Sequence, residues 1–455
     1  MNWIHAKKRR VGATHKMNEI KAGLIGFGNI GAGVVRLLQE NADTVRQKVG
    51  SGITLKRIAD LDITTDRGVR VDPSILTTDV NELLDDPEIS IIIELIGGYE
   101  PAKSFVLKAI EAGKHVVTAN KALLALHGDE IYAAAARKGV EVQFEAAVGG
   151  GIPVLSSIKG NLSGNRFNSV FGIVNGTCNY ILTRMTQEGA DFADVLQSAK
   201  ELGYAEPDPS FDIEGIDTAH KLAVLASLCF GTRIDFNSIH TEGITGISGI
   251  DISYAAEFGY RIKLLAIGKL TDDQQLEVRV HPTMIPLNNP LADVNGVFNA
   301  IRLTGDFSGP VLFYGRGAGQ NPTASAITGD LITIARSINA GGKVRRAAPL
   351  GFQDAVVTTI PLKPMVDIVT SFMLRFTALD KPGVLAAIAG VLGNKGISIE
   401  SMVQTARHDK GEAVPIVIMT HEAREGAIRE ALAEIDSFDF ISEKSRLIRI
   451  EDNLE

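Results

Sequence analysis

From Ile20 onward, short apolar runs alternate with longer segments in which apolar residues recur at helical spacing. The runs predict strands at KAGLIG, LKRIAD, SIIIEL, HVVTA and VEVQFEA, and the spacing predicts helices over 29–39, 102–112 and 123–137. The strand interiors are almost wholly apolar, which is typical of strands covered on both faces. Because strands and helices alternate, residues 20–147 are predicted to form an α/β Rossmann domain with a doubly wound parallel sheet.

Three consecutive glycines and a proline in AAVGGGIPV end this alternation, so a second domain is placed at 148–340. It mixes predicted helices (NYILTRMTQ and TAHKLAVLASLCF) with predicted strands (LEVRVHPTMI, NAIRLTG and PVLFYG), which favours an α+β domain. A stretch with proline, glycine and charged residues predicts a linker over 341–370. The elements of 371–455 follow the order β-α-β-β-α-β, which predicts a ferredoxin-like domain after the linker.

Composition argues against several functional classes. The formal net charge of −8 disfavours nucleic acid or an anionic membrane as the main partner. Cys178 and Cys229 are the only cysteines, so neither a disulfide framework nor a thiolate metal cluster is expected. No apolar run reaches the roughly 20 residues that span a bilayer. Residues 1–19 are basic without an apolar core, so we expect a disordered extension of a cytoplasmic protein, with an interaction arm or a start at Met17 as alternatives.

The segment GLIGFGNIGAG carries a Gly-x-Gly-x-x-Gly pattern between a predicted strand and a predicted helix. In that context, glycines allow a tight turn and close approach to a pyrophosphate, and the helix N-terminus provides free N–H groups for the anion. A site for NAD or NADP is therefore predicted at Gly26, Phe27, Gly28, Asn29, Ile30 and Gly31. Gly97, Thr118 and Lys121 follow later strands, at the carboxyl edge where such sheets bind ligands, and are added to this site.

Asp60 is the best candidate for the acidic residue expected at the end of the second strand, where a carboxylate binds the ribose 2′-hydroxyl of NAD. It lies beyond the usual spacing because residues 40–53 add length. Arg57 or Arg67 would instead favour the 2′-phosphate of NADP. The sequence therefore leaves the choice between NAD and NADP open.

The segment YAEPDPSFDIEGIDTAHK concentrates five carboxylates before one lysine. Asp217 and Lys221 are four residues apart at helical spacing, so they share one helix face. A surface ion pair is one explanation, but the rigid loop set by Pro207 and Pro209 argues against it. Acids around a pocket can hold a substrate ammonium, and a lysine can donate a proton to a developing alkoxide. The pattern indicates hydride transfer to an amino-acid substrate, and His220 is predicted to face elsewhere, in a structural or exposed position.

The longer segment AKELGYAEPDPSFDIEGIDTAHK resembles the signature of homoserine dehydrogenases. TANKALLA, FEAAVGGGIPV, GIVNGTCNYILTRM and GRGAGQNPTASA also occur in the order expected of that family. The resemblance extends from Ile20 over nearly the whole chain, and no kinase-sized region is present, so a monofunctional enzyme is implied. It implies the reversible, NAD(P)-dependent reduction of L-aspartate 4-semialdehyde to L-homoserine in threonine, methionine and isoleucine biosynthesis.

The same resemblance implies roles for individual residues. Lys221 would donate the proton to the aldehyde oxygen, with Lys121 assisting near the nicotinamide. The substrate would be bound by Glu206, Asp217 and Thr177, and the cofactor would also run along Gly203 and Gly319. A monovalent cation, Na⁺ or K⁺, would be bound largely through the backbone carbonyls of Glu145, Val148, Gly150 and Ile152.

The segment TALDKPGVLAAIAGVLGNKGISIESM resembles an ACT domain, a small regulatory module that binds amino acids. Its loop 380–383 opens a helix whose N-terminus could receive a carboxylate, and the implied pathway makes L-threonine the expected effector. We expect the linker to separate this unit from the active site, so its ligand would act on a conformational or assembly equilibrium in a homodimer or homotetramer. A dimerisation domain without a ligand is the alternative.

Two other functions are considered for the whole chain. A different Rossmann amino-acid dehydrogenase is one, although the Asp217/Lys221 helix and the NGT segment argue against it. The other is a sensor that binds dinucleotide and effector without turnover. Such a sensor would need an incomplete Lys221 site and would usually bring a DNA-binding element, and the sequence indicates neither.

Overall fold

The computed structural model describes residues 19–341, 348–353, 357, 359–404 and 413–454. Almost all of the predicted extension 1–19 and parts of the predicted linker 341–370 lie outside these residues. Within the described ranges, no helix is both long and apolar enough to traverse a lipid bilayer. The described strands form a six-stranded and an eleven-stranded sheet.

The first unit surrounds a sheet whose neighbouring strands are all parallel, in the order 3-2-1-4-5-6 along the chain. Its strands are Ile20–Ile25 (β1), Ile53–Ala59 (β2), Leu76–Thr77 (β3), Ile91–Glu94 (β4), His115–Thr118 (β5) and Val142–Gln143 (β6). Its helices are Asn29–Glu40 (α1), Ala42–Val49 (α2), Asn81–Leu84 (α3), Ala102–Glu111 (α4) and Lys121–Lys138 (α5). The predicted Rossmann sheet is confirmed, and its order reverses between β1 and β4, where such sheets bind ligands.

Three local predictions in this unit differ from the structure. Helix α2 occupies most of the extra length at 40–53. The predicted strand VEVQFEA shrinks to β6 because the chain turns into a 3₁₀ helix at Glu145–Ala147. Helix α5 begins at Lys121, earlier than predicted, because the Asn120 side chain caps it by accepting from the Leu123 N–H at 3.0 Å.

The second unit contributes five neighbouring strands to the eleven-stranded sheet and is α+β, as predicted. Its helices are Val154–Lys159 (α6), Gly176–Glu188 (α7), Phe192–Glu201 (α8), Ser210–Ile213 (α9), Ile216–Phe230 (α10), Gly249–Glu257 (α11) and Gln320–Asn339 (α12). Its strands are Phe167–Ile173 (β7), His240–Thr241 (β8), Tyr260–Leu270 (β9), Leu276–Pro286 (β10), Phe298–Gly305 (β11) and Gly309–Arg316 (β12). The apolar pattern did not indicate β7, β9, α8 or α11.

Helix α12 packs against the first unit. Its buried residues Ala324, Ile327 and Leu331 share a hydrophobic core with Leu24 of β1 and Val34 of α1. The predicted domain 148–340 therefore ends in a helix that covers the sheet of the predicted domain 20–147. This return of the chain brings the start of α12 beside the start of α1.

The third unit has the predicted ferredoxin-like order but is not separated from the second. Its strands are Val369–Leu379 (β13), Ile399–Val403 (β14), Ala413–Thr420 (β15), Ala423–Arg424 (β16) and Ile441–Ile450 (β17), and its helices are Val384–Asn394 (α13) and Glu425–Ile435 (α14). Strand β17 pairs in parallel with β10 through Thr283 and Arg449, so one sheet crosses both units. The expected separation is therefore wrong, because backbone pairing joins the units directly.

Buried ion pairs reinforce this junction. The Arg449 guanidinium, which is 1% exposed, lies 2.8 Å from Glu242 of the second unit and 2.6 Å from Glu425 of the third. Arg375 of β13 lies 2.6 Å from the buried Asp251 of α11. Leaving any of these charges unpaired inside the protein would be costly, so the two units form one body.

Candidate active site

The loop between β1 and α1 has the shape that the glycine pattern predicts. Gly26 adopts a φ of +99°, and a Cβ there would lie 2.8 Å from the carbonyl carbon of Leu95. A Cβ on Gly31 would lie 2.3 Å from the Gly26 oxygen, whereas nothing lies within 4 Å of the Cβ position of Gly28. Helix α1 begins at Asn29 without a side-chain cap, so its first N–H groups are available to an anion beside Gly28.

Asp60 follows β2 as predicted, but its carboxylate faces the glycine loop. One oxygen accepts from the Phe27 backbone N–H at 2.5 Å, and the other accepts from the Asp62 N–H at 2.9 Å. Arg67 lies 3.0 Å from Asp62, so its charge is already matched. The Asp60 carboxylate therefore holds the loop, and a ribose hydroxyl would have to share its oxygens with these donors.

A cavity of about 270 Å³ opens at the carboxyl ends of β4 and β5. Its walls come from both the first and the second unit, and they are Ile30, Leu95, Gly97, Gly98, Tyr99, Ala119, Asn120, Lys121, Ala122 and Phe211. The predicted cofactor residues Ile30, Gly97 and Lys121 thus meet in one crevice. The crevice lies beside the strand-order reversal, as expected for a dinucleotide site.

Thr118 supports this crevice from behind and does not line it. Its buried hydroxyl donates to Glu94 at 2.6 Å. Glu94 in turn accepts from the backbone N–H groups of Ile96 and Gly97 at 2.9 and 3.1 Å. Burial raises the pKa of Glu94. Thr118 therefore stabilises the turn after β4 through Glu94, a residue that the pattern of an apolar strand did not single out.

Asp217 joins two lysines, one of which, Lys121, lines the crevice. The Lys221 Nζ lies 2.7 Å from Asp217 Oδ2 and donates to the Val174 carbonyl at 2.7 Å, and the Lys121 Nζ lies 3.4 Å from Asp217 Oδ1. The predicted contact between Asp217 and Lys221 on one helix face is confirmed. Burial by itself raises the pKa of Asp217, but the two lysines and Asn175 lower it to about 2.

Asn175 connects this group to the acidic loop. Its amide nitrogen donates to Asp217 at 2.8 Å and to Asp212 at 2.7 Å, and its oxygen accepts from the Cys178 N–H at the start of α7. Burial raises the pKa of Asp212. Asp217, which was predicted to bind substrate, is 4% exposed and already occupied by two lysines and an amide. In this arrangement it anchors the lysines.

Glu206, Thr177 and Gly203 lie around the loop that precedes α9. Glu206 is exposed, and it forms no hydrogen bond or ion pair with any other residue that the structure describes. The Thr177 hydroxyl donates to the Tyr204 carbonyl at 2.7 Å, and Gly203 adopts a φ of +73°. Thr177 therefore shapes the loop, while the Glu206 carboxylate stays available to a cationic ligand.

Gly319 lies beside the glycine loop because α12 packs back against the first unit. It adopts a φ of +115° at the start of α12, and the next residue, Gln320, donates to both the backbone and the side-chain oxygen of Asn29 at 2.9 Å. The N-termini of α1 and α12 are thus joined. Gly319, predicted to lie along the cofactor, is therefore next to the helix start that follows the glycine loop.

The carboxylate of Glu145, a predicted cation ligand, caps a helix. It accepts from the backbone N–H groups of Leu155 and Ser156 at 2.8 and 2.6 Å, and burial raises its pKa. The Glu145 backbone N–H donates to Asp330 of α12 at 2.8 Å, and burial raises the pKa of Asp330 to about 7. Asp330 was not predicted, since its role depends on where α12 packs.

The residues predicted to bind a cation can therefore contribute only their backbone carbonyl oxygens as ligands. The carbonyls of Glu145 and Ile152 accept backbone hydrogen bonds, whereas those of Val148 and Gly150 accept none from the described residues. The described ranges hold no cluster of three or more His, Cys, Asp or Glu side chains that could bind a metal. Carbonyl oxygens are hard ligands, so this turn does not suit a soft metal ion.

His220 was predicted to be structural or exposed, and the structure buries it at 1% exposure. Its ring lies between those of Phe211 and Phe236, and its Nε2 is 3.4 Å from the Tyr99 hydroxyl. Of the two predicted alternatives for His220, the solvent-exposed position is therefore wrong. Its neighbours Tyr99 and Phe211 both line the crevice, which no spacing in the sequence indicated.

Three family models match the chain in order. "Homoserine dehydrogenase, NAD binding domain" matches residues 26–145, "Homoserine dehydrogenase" matches 153–332 and "ACT domain" matches 372–437. The homoserine dehydrogenase of Pseudomonas aeruginosa is 44% identical over 435 residues, which cover 96% of this chain and 99% of the relative. That of Synechocystis is 46% identical over 434 residues, covering 95% and 99%.

Solved structures agree with these matches. A homoserine dehydrogenase from Thiobacillus denitrificans superimposes with a TM-score of 0.89 and 44% identity, over 96% of this chain and 99% of that one. A hyperthermophilic archaeal homoserine dehydrogenase in complex with NADPH superimposes with a TM-score of 0.60 and 25% identity, over 70% and 98%. From the dinucleotide crevice, the lysine pair and these full-length matches, we conclude that the chain belongs to the homoserine dehydrogenase family of NAD(P)-dependent oxidoreductases and carries a C-terminal ACT domain.

Proposed function

We propose that this protein catalyses the reversible reduction of L-aspartate 4-semialdehyde to L-homoserine with NADPH or NADH. The observation that carries this proposal is the placement of Lys121 and Lys221 on the single buried carboxylate of Asp217, beside the dinucleotide crevice. The cofactor supplies the hydride when it is bound. The side chains of the protein supply the proton and hold the substrate.

Lys221 has the geometry of a proton donor. Two of its three N–H bonds are directed to Asp217 and to the Val174 carbonyl, both at 2.7 Å, so one remains for a substrate oxygen. As the aldehyde carbon gains a hydride, the C=O π bond breaks and the oxygen becomes an alkoxide that takes a proton from Lys221. Lys121 places a second positive charge near the same oxygen and further stabilises the negative charge that develops there.

Glu206 is proposed to bind the substrate ammonium, and Thr177 to shape the loop that presents it. The support is that Glu206 is exposed and unpaired within the described residues, while most acids around Lys221 are already engaged. A carboxylate that binds the ammonium would favour an amino acid over a simple alcohol of the same length. This selectivity is what an amino-acid dehydrogenase needs.

The preferred cofactor is proposed to be NADPH. An archaeal family member has been solved in complex with NADPH. In this chain the Asp60 oxygens are engaged by Phe27 and Asp62, so they are poor acceptors for the free 2′-hydroxyl that distinguishes NAD. The negative charge of Asp60 still opposes a 2′-phosphate, so NADH is expected to remain a usable cofactor.

A Na⁺ or K⁺ ion is proposed at the turn that holds Glu145, Val148, Gly150 and Ile152. The support is the pair of free carbonyls at Val148 and Gly150. A Cβ on Gly150 would lie 2.4 Å from the Gly317 oxygen, so this turn touches the segment that leads to Gly319. An ion here would stabilise the backbone that carries the start of α12.

We propose that L-threonine inhibits the enzyme by binding to the ACT unit. A cavity of about 290 Å³ lies beside the loop that opens α13, with Lys381, Gly383 and Asp439 in its walls. Helix α13 begins after Gly383, at a φ of +92°, without a side-chain cap; the Val384 N–H donates to the Lys381 carbonyl at 3.3 Å, and the N–H groups that follow it in the first turn are available to a carboxylate. These are the features that a small amino-acid site requires.

The junction between the units offers a route from this unit to the active site. Arg449 of β17 bonds to Glu242, and the next residue, Gly243, packs so closely on Ile213 that a Cβ would lie 2.1 Å from the Ile213 oxygen. Ile213 ends α9, directly before the helix that carries Asp217 and Lys221. A ligand that shifts β17 can therefore shift the start of α10.

A homodimer or larger homo-oligomer is proposed to form along the free edge of the long sheet. Strand β12 ends that sheet and exposes Leu312 at 41% and Tyr314 at 55%, with Phe307 at 90% just before it. An apolar edge strand of this kind pairs readily with another chain. Light scattering should give a multiple of the chain mass, and Leu312→Lys should shift the mass towards the monomer.

The catalytic proposal is tested by following nicotinamide absorbance with L-homoserine and NADP⁺ or NAD⁺, alongside L-serine and 4-hydroxybutyrate. Oxidation of L-homoserine well ahead of both analogues is expected, because L-serine is one carbon shorter and 4-hydroxybutyrate lacks the ammonium. Faster oxidation of L-serine would indicate a different amino-acid dehydrogenase. Dinucleotide binding without turnover of any substrate would indicate a sensor.

Threonine control is tested with Asp380→Ala in the effector loop and Asp272→Ala in the second unit as a matched control. Asp380→Ala should weaken inhibition by L-threonine about tenfold or more, and Asp272→Ala should not change it. A wild-type enzyme that ignores threonine would identify the unit as a dimerisation domain or a sensor of another amino acid. Truncation before β13 is unsuitable, since it would expose the β10 edge and remove Arg449 from Glu242.

A further inference from the structure

His220 lies in a stack of three rings beside the crevice. Its imidazole is 4.2 Å from the Phe236 ring at an interplanar angle of 3°, and 5.4 Å from the Phe211 ring at 24°. The residue is 1% exposed and directly precedes Lys221 on α10. Because Phe211 also lines the crevice, the stack fixes one wall of the site from the second unit.

The same imidazole reaches across to the first unit. Its Nε2 lies 3.4 Å from the hydroxyl of Tyr99, which follows β4 and also lines the crevice. Tyr99 itself is 42% exposed; this contact engages its hydroxyl, whereas its ring makes an edge contact with the His127 ring at 6.4 Å, which a phenylalanine at 127 would keep. His220 is therefore a direct link between the unit with the glycine loop and the helix with Lys221.

Through Phe211, His220 also affects the position of Lys121, the second lysine on Asp217. The Lys121 Nζ lies 5.8 Å above the centre of the Phe211 ring and 3.4 Å from Asp217. A cation over an aromatic face is attracted to it, so the ring helps to set where this ammonium lies. The stack on His220 therefore bears on the position of Lys121 through Phe211.

His220 stays neutral in this environment. Burial lowers its pKa to about 4, although Asp217 favours the charged form, and Lys121 opposes it. Its Nδ1 is buried and directed toward the backbone of Ile216 one turn earlier on α10. A neutral ring can accept a hydrogen bond from the Tyr99 hydroxyl through Nε2, and it adds no charge that would compete with the lysines for Asp217.

We propose that His220 is a positioning residue of the active site, which holds Tyr99 of the first unit and Phe211 of the second in the lining of the crevice where the nicotinamide and the aldehyde carbon meet. This inference rests on the proposed dehydrogenase function. The positions of these side chains matter because the rate of hydride transfer depends on how the reacting atoms are placed. A displacement of about 1 Å can lower that rate about 10²-fold. His220 acts through its neighbours and does not exchange a proton with the substrate.

The experiment measures single-turnover reduction of L-aspartate 4-semialdehyde by bound NADPH in wild type, Tyr99→Phe, His220→Phe, His220→Gln and the Tyr99→Phe/His220→Phe double variant. Tyr99→Phe removes only a half-exposed hydroxyl, so it tests the link even where a His220 variant fails to fold. The amplitude of the reaction reports the fraction of active enzyme, and the rate constant reports the hydride step. His127→Phe, on the other side of Tyr99, is the matched control.

Tyr99→Phe and His220→Phe should each lower the rate constant by about tenfold at full amplitude, and the double variant should be no slower than the worse single variant, because both remove one contact. His220→Gln, which keeps a polar ε position, should be intermediate, and His127→Phe should stay within about twofold of wild type. The pH profile between about pH 6 and 9 should keep its shape in His220→Phe, since the ring is neutral there.

Three results would overturn the proposal. Rate constants that stay at the wild-type value while amplitudes fall would show a purely structural role. Additive losses in the double variant would show that the two residues act independently. Loss of an ionisation from the pH profile of His220→Phe would make His220 an acid or base. A wild-type enzyme without turnover would instead contradict the proposed function itself, so the two failures are distinguishable.

Discussion

Replacing Lys221 with alanine is expected to lower kcat by about 10²–10⁴-fold, the usual contribution of a positioned proton donor. This corresponds to about 3–5 kcal/mol of transition-state stabilisation. Lys121 cannot take over fully, because it lies 3.4 Å from the other oxygen of Asp217, Oδ1, whereas Lys221 is held 2.7 Å from Oδ2 and from the Val174 carbonyl. The glycine loop belongs to another unit, so dinucleotide affinity should stay close to that of wild type.

The structural cost of the same substitution should be small enough to leave the fold intact. Asp217 keeps Lys121 and the Asn175 amide at 2.8 Å, so it is not left as an unpaired buried charge. The loss of folding stability in Lys221→Ala should therefore be smaller than the 3–5 kcal/mol or so that breaking a buried ion pair costs. The pKa of Asp217 should rise from about 2, because Lys221 is the main group that lowers it.

Two variants and two measurements separate catalysis from structure. Lys221→Arg keeps a cation beside Asp217 but releases its proton too reluctantly to act as a donor, so it should restore thermal stability without activity. Lys200→Ala on α8 is the matched control and should leave kcat unchanged. Each protein is assayed for turnover and titrated with NADPH. Dinucleotide affinity that falls in parallel with kcat, or a Lys221→Ala enzyme within about tenfold of wild type, would refute the reasoning.

Other predictions concern substrate, cofactor and stability. Glu206→Gln should raise KM for L-homoserine roughly fivefold with little change in kcat, and unchanged saturation curves would make Glu206 structural. Asp60→Ala should raise KM for NADH more than for NADPH, whereas equal changes would limit Asp60 to holding the glycine loop. Arg449→Met should destabilise the protein by up to about 3 kcal/mol at pH 7, measured by urea unfolding, because the fully buried Glu425 loses one of its two guanidinium partners and keeps only Arg429 at 2.7 Å. Burial raises the pKa of Glu242, but hydrogen bonds from His240 and Arg449 lower it well below its usual range. The stability that this pairing contributes is therefore present above the unfolded-state pKa of about 4.3 and is lost as pH falls, so the difference between wild type and Arg449→Met should shrink on acidification.

The sequence by itself determined what depends on neighbours along the chain. Alternating apolar runs and helical spacing predicted the parallel sheet of the first unit, since secondary-structure period and burial are local properties. The glycine pattern predicted the loop at Gly26 and Gly31, because at each of these positions a backbone carbonyl group lies where a Cβ atom would be. The spacing of Asp217 and Lys221 predicted their contact, since residues four apart on a helix lie on one face.

The tertiary structure decided every feature that joins distant parts of the chain. It turned the Asp60 carboxylate to Phe27, made Glu145 a helix cap, and brought Lys121 to the same carboxylate as Lys221. It also buried His220 against a wall of the first unit and fused the ACT sheet to the catalytic sheet. No local pattern encodes these contacts, because each depends on how whole elements pack, and packing is set by the shapes and charges of surfaces that only the folded chain brings together.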